Sequence, residues 1–355
     1  MPRSNDASTP TRRPTPSRSR RPALALTAAL ALTATAGCAA SASPGAEDPI
    51  IVSVSIAAPA NAPIFLADEM GYFKDEGLDV KVETIANASL QIATGKVQFG
   101  AVNTSTVIQS TTQEEIDLQQ ICVTQVDPSY MLAVSDAAWE RNNMSDDMTL
   151  KEQLAALEGE NITAIGGRTV NPGAKLLEAL LEKEGLPRDS IGVLSQANTA
   201  ASTAAFQKGQ VGLVFQPQPI PDQVLSVAPG KIIYDTGASD LFSELDSVAW
   251  SGIGTSRAYA EEHPDVAEKV CNAIGKANNY LDEEPEAAAK ALQASMNSFS
   301  EEILVDAMPS YKWAKDADMS EEQFNQSIQT LADMGMFEMP SADKLAKAYT
   351  DEYQK

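Results

Sequence analysis

Neutral amide side chains follow several of the strands that the sequence predicts. An asparagine stands just past each of five predicted strands and a glutamine ends a sixth: Asn61, Asn87, Asn103, Asn171, Asn198 and Gln216. Because parallel strands end at one edge of a sheet, we expect these side chains to face a crevice there. An amide both donates and accepts hydrogen bonds, which suits a small polar ligand. Asparagine is also a favoured N-cap of helices, so capping alone stays open as an alternative for each.

Two loops join these amides to small hydroxyl residues where a helix is predicted to begin. One is Asn103-Thr104-Ser105, and the other runs from Thr169 through Asn171 to Gly173. Backbone N–H groups at a helix start are free to bind a carboxylate, a sulfonate or another anion. We therefore take these loops as the best candidates for ligand contact.

Arg168 carries the only guanidinium directly beside a candidate loop. It could pair bidentately with an anionic group of the ligand, or point into solvent, and both interpretations stay open. Cations are scarce elsewhere near the predicted crevice. This scarcity argues against a multiply charged ligand such as a phosphate ester.

Aromatic residues make up only 6% of the chain, so their positions carry weight. Trp250 lies on a predicted strand near the boundary between two lobes, and Tyr130 begins another such strand. Either ring could stack on a ligand ring or pack on an alkyl chain, and a role in the core is equally compatible with the sequence.

Histidine and cysteine are too few for several kinds of site. The single histidine, His263, excludes a histidine-dependent catalytic triad and a multi-histidine metal site, and we predict no cofactor. Beyond residue 40 the cysteines are Cys122 and Cys271. In an exported protein they could form a disulfide, or remain two buried thiols, and the sequence leaves this open.

The charge of the chain is strongly negative. It has 26 basic and 49 acidic residues, for a formal net charge of −23. Such a field repels nucleic acid, so we expect no nucleic-acid partner.

The first 48 residues read as an export and anchoring region. Six arginines precede an apolar stretch from Ala23 to Ala36 that is too short to span a membrane. Thr35-Ala36-Gly37-Cys38 resembles a bacterial lipobox, which would make residues 1–37 a removed signal and Cys38 a diacylated N-terminus on the tether 38–48. An ordinary cleavable signal with an incidental cysteine is the alternative. Ser19-Arg20-Arg21 leaves Sec or twin-arginine export open.

Strands and helices alternate in the next part of the chain. The apolar run Ile50 to Ile56 predicts a strand, followed by a helix, a turn at Gly77 and a second strand from Leu78. This βαβ order indicates a parallel sheet. A second set of βαβ units starts near Leu150, and the residues after Arg257 read as helices.

This order predicts an α/β protein of two lobes. We expect lobe 1 to comprise residues 49–130 and 250–355, and lobe 2 to comprise residues 131–249. The segments Ser129–Val134 and Ser247–Ser256 would cross between the lobes, with Gly252 and Gly254 absorbing hinge rotation.

The sequence also resembles a known family. The stretch APIFLADEMGYFKDEGLDV (Ala62 to Val80) is similar to the N-terminal signature of the nitrate/sulfonate/taurine family of ABC-importer substrate-binding proteins. GKVQFGAV, LLEALLEKEGLP after NPGAK, and FQKGQVGLVF resemble later family segments, so the likeness covers most of the chain beyond the signal.

This resemblance implies a type II periplasmic-binding-protein fold, with a ligand cleft between lobes and a helical C-terminal segment. It implies a non-enzymatic receptor that captures a small solute outside the cytoplasm, with an ABC permease and its ATPase as partners and a lipid anchor to the membrane. The Asn103 and Asn171 loops would line the cleft. The solute stays open, because members bind nitrate, alkanesulfonates, taurine or thiamin precursors.

Two other functions are compatible with such a fold. A ligand-sensing lipoprotein that does not transport would need the same hinge and cleft. An enzyme like the thiamin-pyrimidine-forming relatives would depend on histidine and a cysteine-rich segment, and the sequence has one histidine, His263, and no cysteine-rich segment.

Overall fold

The computed structural model describes residues 49–85, 88–113, 116–165, 167–169 and 171–354. The predicted signal, the tether with Cys38, and Asn87 lie outside these residues. Within the described ranges, no helix is long and apolar enough to cross a membrane.

The strands form two sheets. In chain order they are β1 (Ile50–Val54), β2 (Val80–Thr84), β3 (Phe99–Asn103), β4 (Gln119–Val126), β5 (Tyr130–Ser135), β6 (Asn161–Ile165), β7 (Gly192–Gln196), β8 (Leu213–Pro217), β9 (Gly230–Asp235), β10 (Ala249–Thr255) and β11 (Lys312–Trp313).

Helices connect and cover these strands. They are α1 (Ala62–Glu69), α2 (Tyr72–Asp75), α3 (Ala88–Ala93), α4 (Thr104–Gln113), α5 (Asp136–Arg141), α6 (Leu150–Ala156), α7 (Pro172–Lys183), α8 (Thr199–Gln207), α9 (Ile220–Leu225), α10 (Arg257–Glu262), α11 (Pro264–Glu283), α12 (Pro285–Leu292), α13 (Glu301–Ala307), α14 (Glu321–Asp333) and α15 (Ala342–Ala348). Short 3-10 turns occur at Pro59–Asn61, Asp240–Leu245, Met308–Ser310 and Lys315–Ala317.

The first sheet has the strand order β11-β4-β10-β3-β1-β2. Strand β1 pairs in parallel with both β2 and β3, as the βαβ pattern predicts. Gly77 has a φ of +77°, a left-handed conformation that favours glycine, and it forms the predicted turn before β2.

The second sheet has the strand order β7-β6-β8-β5-β9. Strand β6 pairs in parallel with β7 and β8, again as the sequence predicts. The edge strand β9 was not predicted.

Both sheets are mixed: β10 and the short edge strand β11 run against the other strands of the first sheet, and β5 runs against the others in the second. Strand β10 lies antiparallel between β3 and β4, and β5 lies antiparallel between β8 and β9. The beginnings of β5 and β10 therefore lie at the edge where their parallel neighbours end.

Local sequence explains where the helix after β6 begins and which face it buries. The side chain of Asn171 caps α7, and Pro172 occupies its first turn, where a missing N–H costs nothing. Leu176, Leu180 and the residues beside them recur on one face and are buried.

The apolar core extends beyond either sheet. One buried cluster contains Phe99 and Ile121 of the first sheet together with Val214 of the second sheet and Phe206 of α8. A second cluster joins residues of the second sheet to the end of α14, including Leu331.

The C-terminal segment, predicted as part of lobe 1, also contacts residues from the predicted lobe 2. Arg188 donates to the Met334 carbonyl at 3.0 Å, and Gln223 donates to the Ser298 carbonyl at 2.7 Å. Residues 250–355 therefore do not pack on the first sheet alone.

The predicted hinge role of Gly252 and Gly254 is wrong. Both lie within β10, which is paired on both sides. A Cβ at Gly252 would lie 2.1 Å from the carbonyl oxygen of Cys122, and one at Gly254 would lie 2.9 Å from Val102. These glycines allow close approach of neighbouring chain segments.

The connections between the sheets are instead residues 127–129 and 236–248, and they are bonded to each other. Thr236 Oγ1 accepts from the Tyr130 N–H at 2.8 Å and donates to the Pro128 carbonyl at 2.7 Å. Lys312 pairs with Asp127 at 2.8 Å and with Asp246 at 3.2 Å, one residue from each connection.

Candidate ligand-binding site

A cavity of about 140 Å³ lies where the strand ends of both sheets meet the two connections. It is smaller than the roughly 300–1,000 Å³ typical for drug-sized ligands, which favours a small solute. Its lining residues are Ser55, Ile56, Ala60, Asn61, Ala101, Val102, Asn103, Gln125, Ser129, Tyr130, Pro217, Trp250 and Ser251.

Strand register brings these distant residues together. Asn103 at the end of β3 stands opposite Ser251 near the start of β10, and Gln125 near the end of β4 is also aligned with Ser251. In the second sheet, Tyr130 at the start of β5 stands opposite Pro217 at the end of β8. The crevice thus forms at the carboxyl ends of the parallel strands, as predicted for open α/β sheets.

The amides on the first-sheet side differ in how they are bonded. Asn61 Nδ2 donates to the Ile56 carbonyl at 2.9 Å, and Gln125 Nε2 donates to the Asp127 carbonyl at 2.9 Å. Each keeps an amide oxygen for further bonding. The Asn103 side chain makes no hydrogen bond to the rest of the described chain and is half-buried, so its whole amide is available to a solute.

Ser129 adds an unsatisfied hydroxyl to the cavity. The residue is only 3% exposed, and its Oγ has no hydrogen-bond partner among the described residues. A buried polar group without a partner costs roughly 1–3 kcal/mol, so a solute that bonded this hydroxyl would recover that cost.

Aromatic rings form one wall. Tyr130 and Trp250 are each 6% exposed and meet edge to face, with ring centroids 5.9 Å apart. Phe215 supports Tyr130 from behind at 5.5 Å. Burial raises the pKa of Tyr130 well above its ordinary value, while the hydrogen bond from Trp250 opposes that rise, so the phenol stays neutral at physiological pH.

Among the described residues that line the cavity, none has a charged side chain. Helix α4 begins directly after Asn103, whereas the first N–H of α1 is bonded to the Pro59 carbonyl and the second residue of α1, Pro63, has no N–H. Helix N-termini carry partial positive charge and unbonded N–H groups. The site can bind a small polar solute through neutral donors and an aromatic wall.

Four of the predicted ligand residues line this cavity: Asn61, Asn103, Tyr130 and Trp250. Thr104 and Gln216 are buried elsewhere. Thr104 is fully buried and donates to Gln120 Oε1 at 3.1 Å, while Gln216 Nε2 donates to the Thr163 carbonyl at 3.4 Å. Both side chains are hydrogen-bonded inside the protein, and neither lines the cavity.

Arg168 binds the protein and does not point freely into solvent. Its guanidinium pairs with Glu178 at 2.9 Å and donates to the Ile191 carbonyl at 2.7 Å. Glu178 is buried on α7 and also pairs with Lys175 at 3.1 Å, so the arginine compensates a buried carboxylate.

The Asn171 side chain caps helix α7, which is the structural role that the sequence left open for it. Asn171 Oδ1 accepts from the Ala174 N–H at 3.0 Å, and its Nδ2 donates to the Ile165 carbonyl at 3.2 Å. Asn198 caps α8 in the same way, accepting from the Ala201 N–H at 2.9 Å. Thr169 is exposed and lines no part of the cavity.

The sequence did not single out several residues that line the cavity, chiefly Ser55, Gln125, Ser129 and Ser251. Small hydroxyl residues at strand ends are common, so their type alone carries little information. Position is a sequence signal for Ser55, Gln125 and Ser129, which lie at or beside the end of a predicted strand, whereas Ser251 lies inside one.

Other side chains offer little further chemistry. His263 is half-buried at the N-cap of α11. Its ring contacts that of Tyr259, with centroids 4.6 Å apart. Among the described residues, no group of three or more histidine, cysteine, aspartate or glutamate side chains could hold a metal ion.

Solved structures of binding proteins share this architecture. The alkanesulfonate-binding protein SsuA from Xanthomonas axonopodis pv. citri, bound to MOPS, has a TM-score of 0.64 at 15% identity, covering 85% of this chain and 98% of that one. The periplasmic nitrate-binding protein NrtA from Synechocystis PCC 6803 has a TM-score of 0.66 at 14% identity, covering 86% of each chain.

A third structure, the periplasmic aliphatic sulphonate binding protein SsuA from Escherichia coli, has a TM-score of 0.62 at 15% identity and covers 86% of this chain and 99% of that one. No curated protein sequence matches the chain significantly. At these identities the likeness establishes the fold, and the predicted type II periplasmic-binding fold is confirmed.

The sequence itself carries a family match over a longer region than any single motif. Residues 58–288, more than half of the chain, match the family described as NMT1/THI5 like. That region includes every residue of the cavity except Ser55 and Ile56. Together with the sulfonate- and nitrate-binding structures, this match confirms the predicted kinship, and the chain belongs to the NMT1/THI5 like family.

Proposed function

We propose that this chain is the solute-binding component of an ABC importer and works outside the cytoplasm. The observation that carries the proposal is the uncharged, polar cavity at the strand ends beside both connections. The related binding proteins from Xanthomonas and Synechocystis have the same fold. A site built from amides, hydroxyls and aromatic rings is suited to holding a solute and releasing it unchanged.

The lining suggests the kind of solute. The N-terminus of α4 and neutral donors suit a compact, singly charged anion such as nitrate, taurine or an alkanesulfonate. The aromatic wall of Tyr130 and Trp250 suits an uncharged heterocycle equally well. The absence of charged side chains from the lining disfavours a multiply charged solute.

Space beyond the cavity would admit a larger substituent. A second opening of about 450 Å³ shares Ser55, Val102 and Asn103 with the cavity and continues to Gln109 and Ser110 on α4. An alkyl or polar tail extending from the bound group could enter it.

Native mass spectrometry of protein purified without added ligand is the first test. A co-purified solute would give its mass, and a thermal-shift screen of sulfonates, taurine, nitrate and pyrimidines would then identify its class. A bound state raises the melting temperature because the solute binds the folded chain only. A clean native mass with no shift from any of these compounds would contradict the proposed ligand classes.

Two serine variants would locate the site. Ser129→Ala removes the unpartnered hydroxyl in the cavity, and we expect affinity for the identified solute to fall by about 1 kcal/mol, roughly fivefold. Ser202→Ala is the matched control, because Ser202 is also 3% exposed and its Oγ also lacks a partner, but it lies on α8 away from the cavity. If both variants bound the solute with the same affinity, Ser129 would not be a ligand contact.

Delivery to a permease would use closure of the two lobes around the solute. We propose residues 49–130 with 250–355 and residues 131–249 as those lobes, moving about the connections at 127–129 and 236–248. A solute gripped from both sides favours the closed population. Small-angle scattering should show a smaller radius of gyration with solute, whereas tight binding with unchanged dimensions would indicate a rigid receptor.

We further propose that Cys38 anchors the protein to the outer face of the cell membrane through its lipid. Two acyl chains hold a protein stably, whereas one gives only marginal binding. Cys38→Ser should release the protein from membranes, and retention at the wild-type level would refute the anchor.

Transport, and not sensing alone, is the role we propose. A permease and an ATPase encoded beside this chain would favour transport, and solute uptake lost on deleting this chain would establish it. Enzymatic use of the fold finds no support in the cavity, where the titratable side chain is the phenol of Tyr130.

A further inference from the structure

Two buried thiols lie next to each other behind the first sheet. Cys122 is on β4 and Cys271 on α11, and they are 0% and 2% exposed. The Cys271 thiol donates to the carbonyl of Ile121 at 3.6 Å, immediately beside Cys122. Both cysteines belong to the same buried cluster of side chains. Both cysteines are free in this structure.

The surroundings would keep these thiols unreactive once the chain has folded. Burial, followed by the neighbouring Cys122, raises the pKa of the Cys271 thiol well above its ordinary value. Since the thiolate is the reactive form, oxidation of the pair would be slow in the intact fold. Cross-linking would therefore occur while the chain folds and the sulfurs remain accessible.

We propose that Cys122 and Cys271 form a disulfide bond when the chain folds under oxidising conditions. The proposal rests on the extracytoplasmic location in the proposed function, because disulfides persist in such compartments. It follows from the position of the Cys271 thiol against the Ile121 carbonyl, one residue from Cys122 on β4, within one buried cluster.

The oxidant is the disulfide of a thiol oxidoreductase. One cysteine thiolate attacks that disulfide, forming a mixed disulfide and releasing one oxidoreductase thiolate. The second cysteine thiolate then attacks the mixed disulfide, forming the Cys122–Cys271 bond and releasing the other. The two cysteines lose two protons and two electrons, and the oxidoreductase becomes a dithiol.

The position of the bond predicts its effect. It would close the chain between residues 122 and 271, a loop that contains the whole second sheet and both connections. A cross-link over so long a loop stabilises mainly by restricting the unfolded chain. Both sulfurs lie outside the cavity lining, so the bond should leave solute affinity unchanged.

Peptide mapping tests this on the full chain. The protein is reduced and unfolded, refolded with a mixture of reduced and oxidised glutathione, unfolded again without reductant, alkylated with iodoacetamide and digested with trypsin. Cys122 lies in the tryptic peptide 97–141 and Cys271 in the peptide 270–276. We expect these two peptides joined, at the sum of their masses less two hydrogens.

Recovery of both peptides alkylated, or of either joined to glutathione or to the peptide that contains Cys38, would overturn the proposal. Melting provides a second readout. The refolded, oxidised protein should melt at a higher temperature than the reduced protein, and the double variant Cys122→Ala/Cys271→Ala should show no such difference. A wild-type protein with equal melting temperatures in both forms would also count against the bond.

Solute binding separates this proposal from the proposed function. The oxidised and reduced forms should bind the identified solute with equal affinity. A linked protein that binds none of the solutes screened would refute the proposed ligand classes and leave the disulfide intact. A protein that binds one of these solutes but forms no Cys122–Cys271 bond would refute the disulfide and leave the proposed ligand classes intact.

Discussion

The loops at Asn103 and Asn171 occupy corresponding places in the two sheets and use the same residue differently. Each asparagine lies between a parallel strand and the helix that follows it. Asn171 uses both ends of its amide inside the protein, on Ala174 and Ile165. The Asn103 side chain makes no hydrogen bond to the described residues and lines the cavity.

Recognition in this site is therefore unequal between the sheets. Strand ends of the first sheet and the connections provide the amides and hydroxyls, while the second sheet contributes Tyr130 and Pro217. An amide whose donors and acceptor are used within the fold contributes to stability, and one left unbonded can serve a ligand. Substituting each asparagine should therefore change a different property. Measuring the melting temperature and the solute affinity of the same variant would show which property has changed.

The largest expected effect concerns Arg168, the charged neighbour of the Asn171 loop. Arg168→Met keeps the apolar stem but removes hydrogen bonds to Glu178 and Ile191, so we expect the free energy of unfolding to fall by about 1.5–3 kcal/mol. Chemical denaturation measures this loss, and calorimetry should show unchanged solute affinity.

Arg141→Met is the matched control for that change. Its guanidinium pairs with Glu160 but its side chain is 54% exposed, so the loss should be smaller, about 0–1 kcal/mol. A large loss of affinity in Arg168→Met would show that this arginine reaches the solute in a state that differs from the structure described.

On the other side of the comparison, Asn103→Ala should weaken binding. Removing an amide that bonds the solute in a desolvated site costs about 1–3 kcal/mol, roughly 5- to 150-fold in the dissociation constant. Melting without solute should change little, because the side chain has no partner in the described chain. Unchanged affinity would exclude Asn103 from ligand contact.

Asn171→Ala should give the opposite result. Loss of the cap on α7 should lower the free energy of unfolding by about 1 kcal/mol and leave affinity nearly unchanged. Denaturation and calorimetry on the same preparation measure both. If Asn171→Ala weakened binding as much as Asn103→Ala, the two loops would be equivalent and the comparison would fail.

The smallest expected effect is that of pH. The described residues of the cavity lining include no carboxylate, histidine or amine, and the raised pKa of Tyr130 keeps its phenol protonated as the pH rises. For a solute that does not itself titrate, affinity should stay constant within about twofold between pH values of roughly 5.5 and 8.5. A titration near neutral pH would reveal an ionisable group in the site.

Much of the fold was accessible from the sequence because the hydrophobic pattern and the helix signals agree. Strand β6 (Asn161–Ile165) and helix α7, which begins at Pro172, belong to the second set of βαβ units that the sequence predicts after Leu150. Strand β9 was missed because its residues are only partly buried apart from Tyr234, so it lacks a strong apolar pattern. The glycines of β10 were misread because the sequence shows conformational freedom but not the neighbours that restrict it.

The site was harder to predict because partners far along the chain decide which polar groups remain free. Glu178 stands on the buried face of α7, between Leu177 and Leu180, and a charge in that position requires a counter-charge. That signal could have assigned Arg168 to a structural role. Nothing in the sequence distinguishes the unbonded Ser129 from the other serines.

A crystal structure of the protein with its identified solute tests the central claim most directly. We predict that the solute lies against Trp250, with polar atoms within about 2.7–3.2 Å of Ser129 Oγ and the Asn103 amide. Arg168 should remain bonded to Glu178, and Asn171 to Ala174. A solute bound by Arg168 or Asn171, with Asn103 and Ser129 out of reach, would contradict this account of the site.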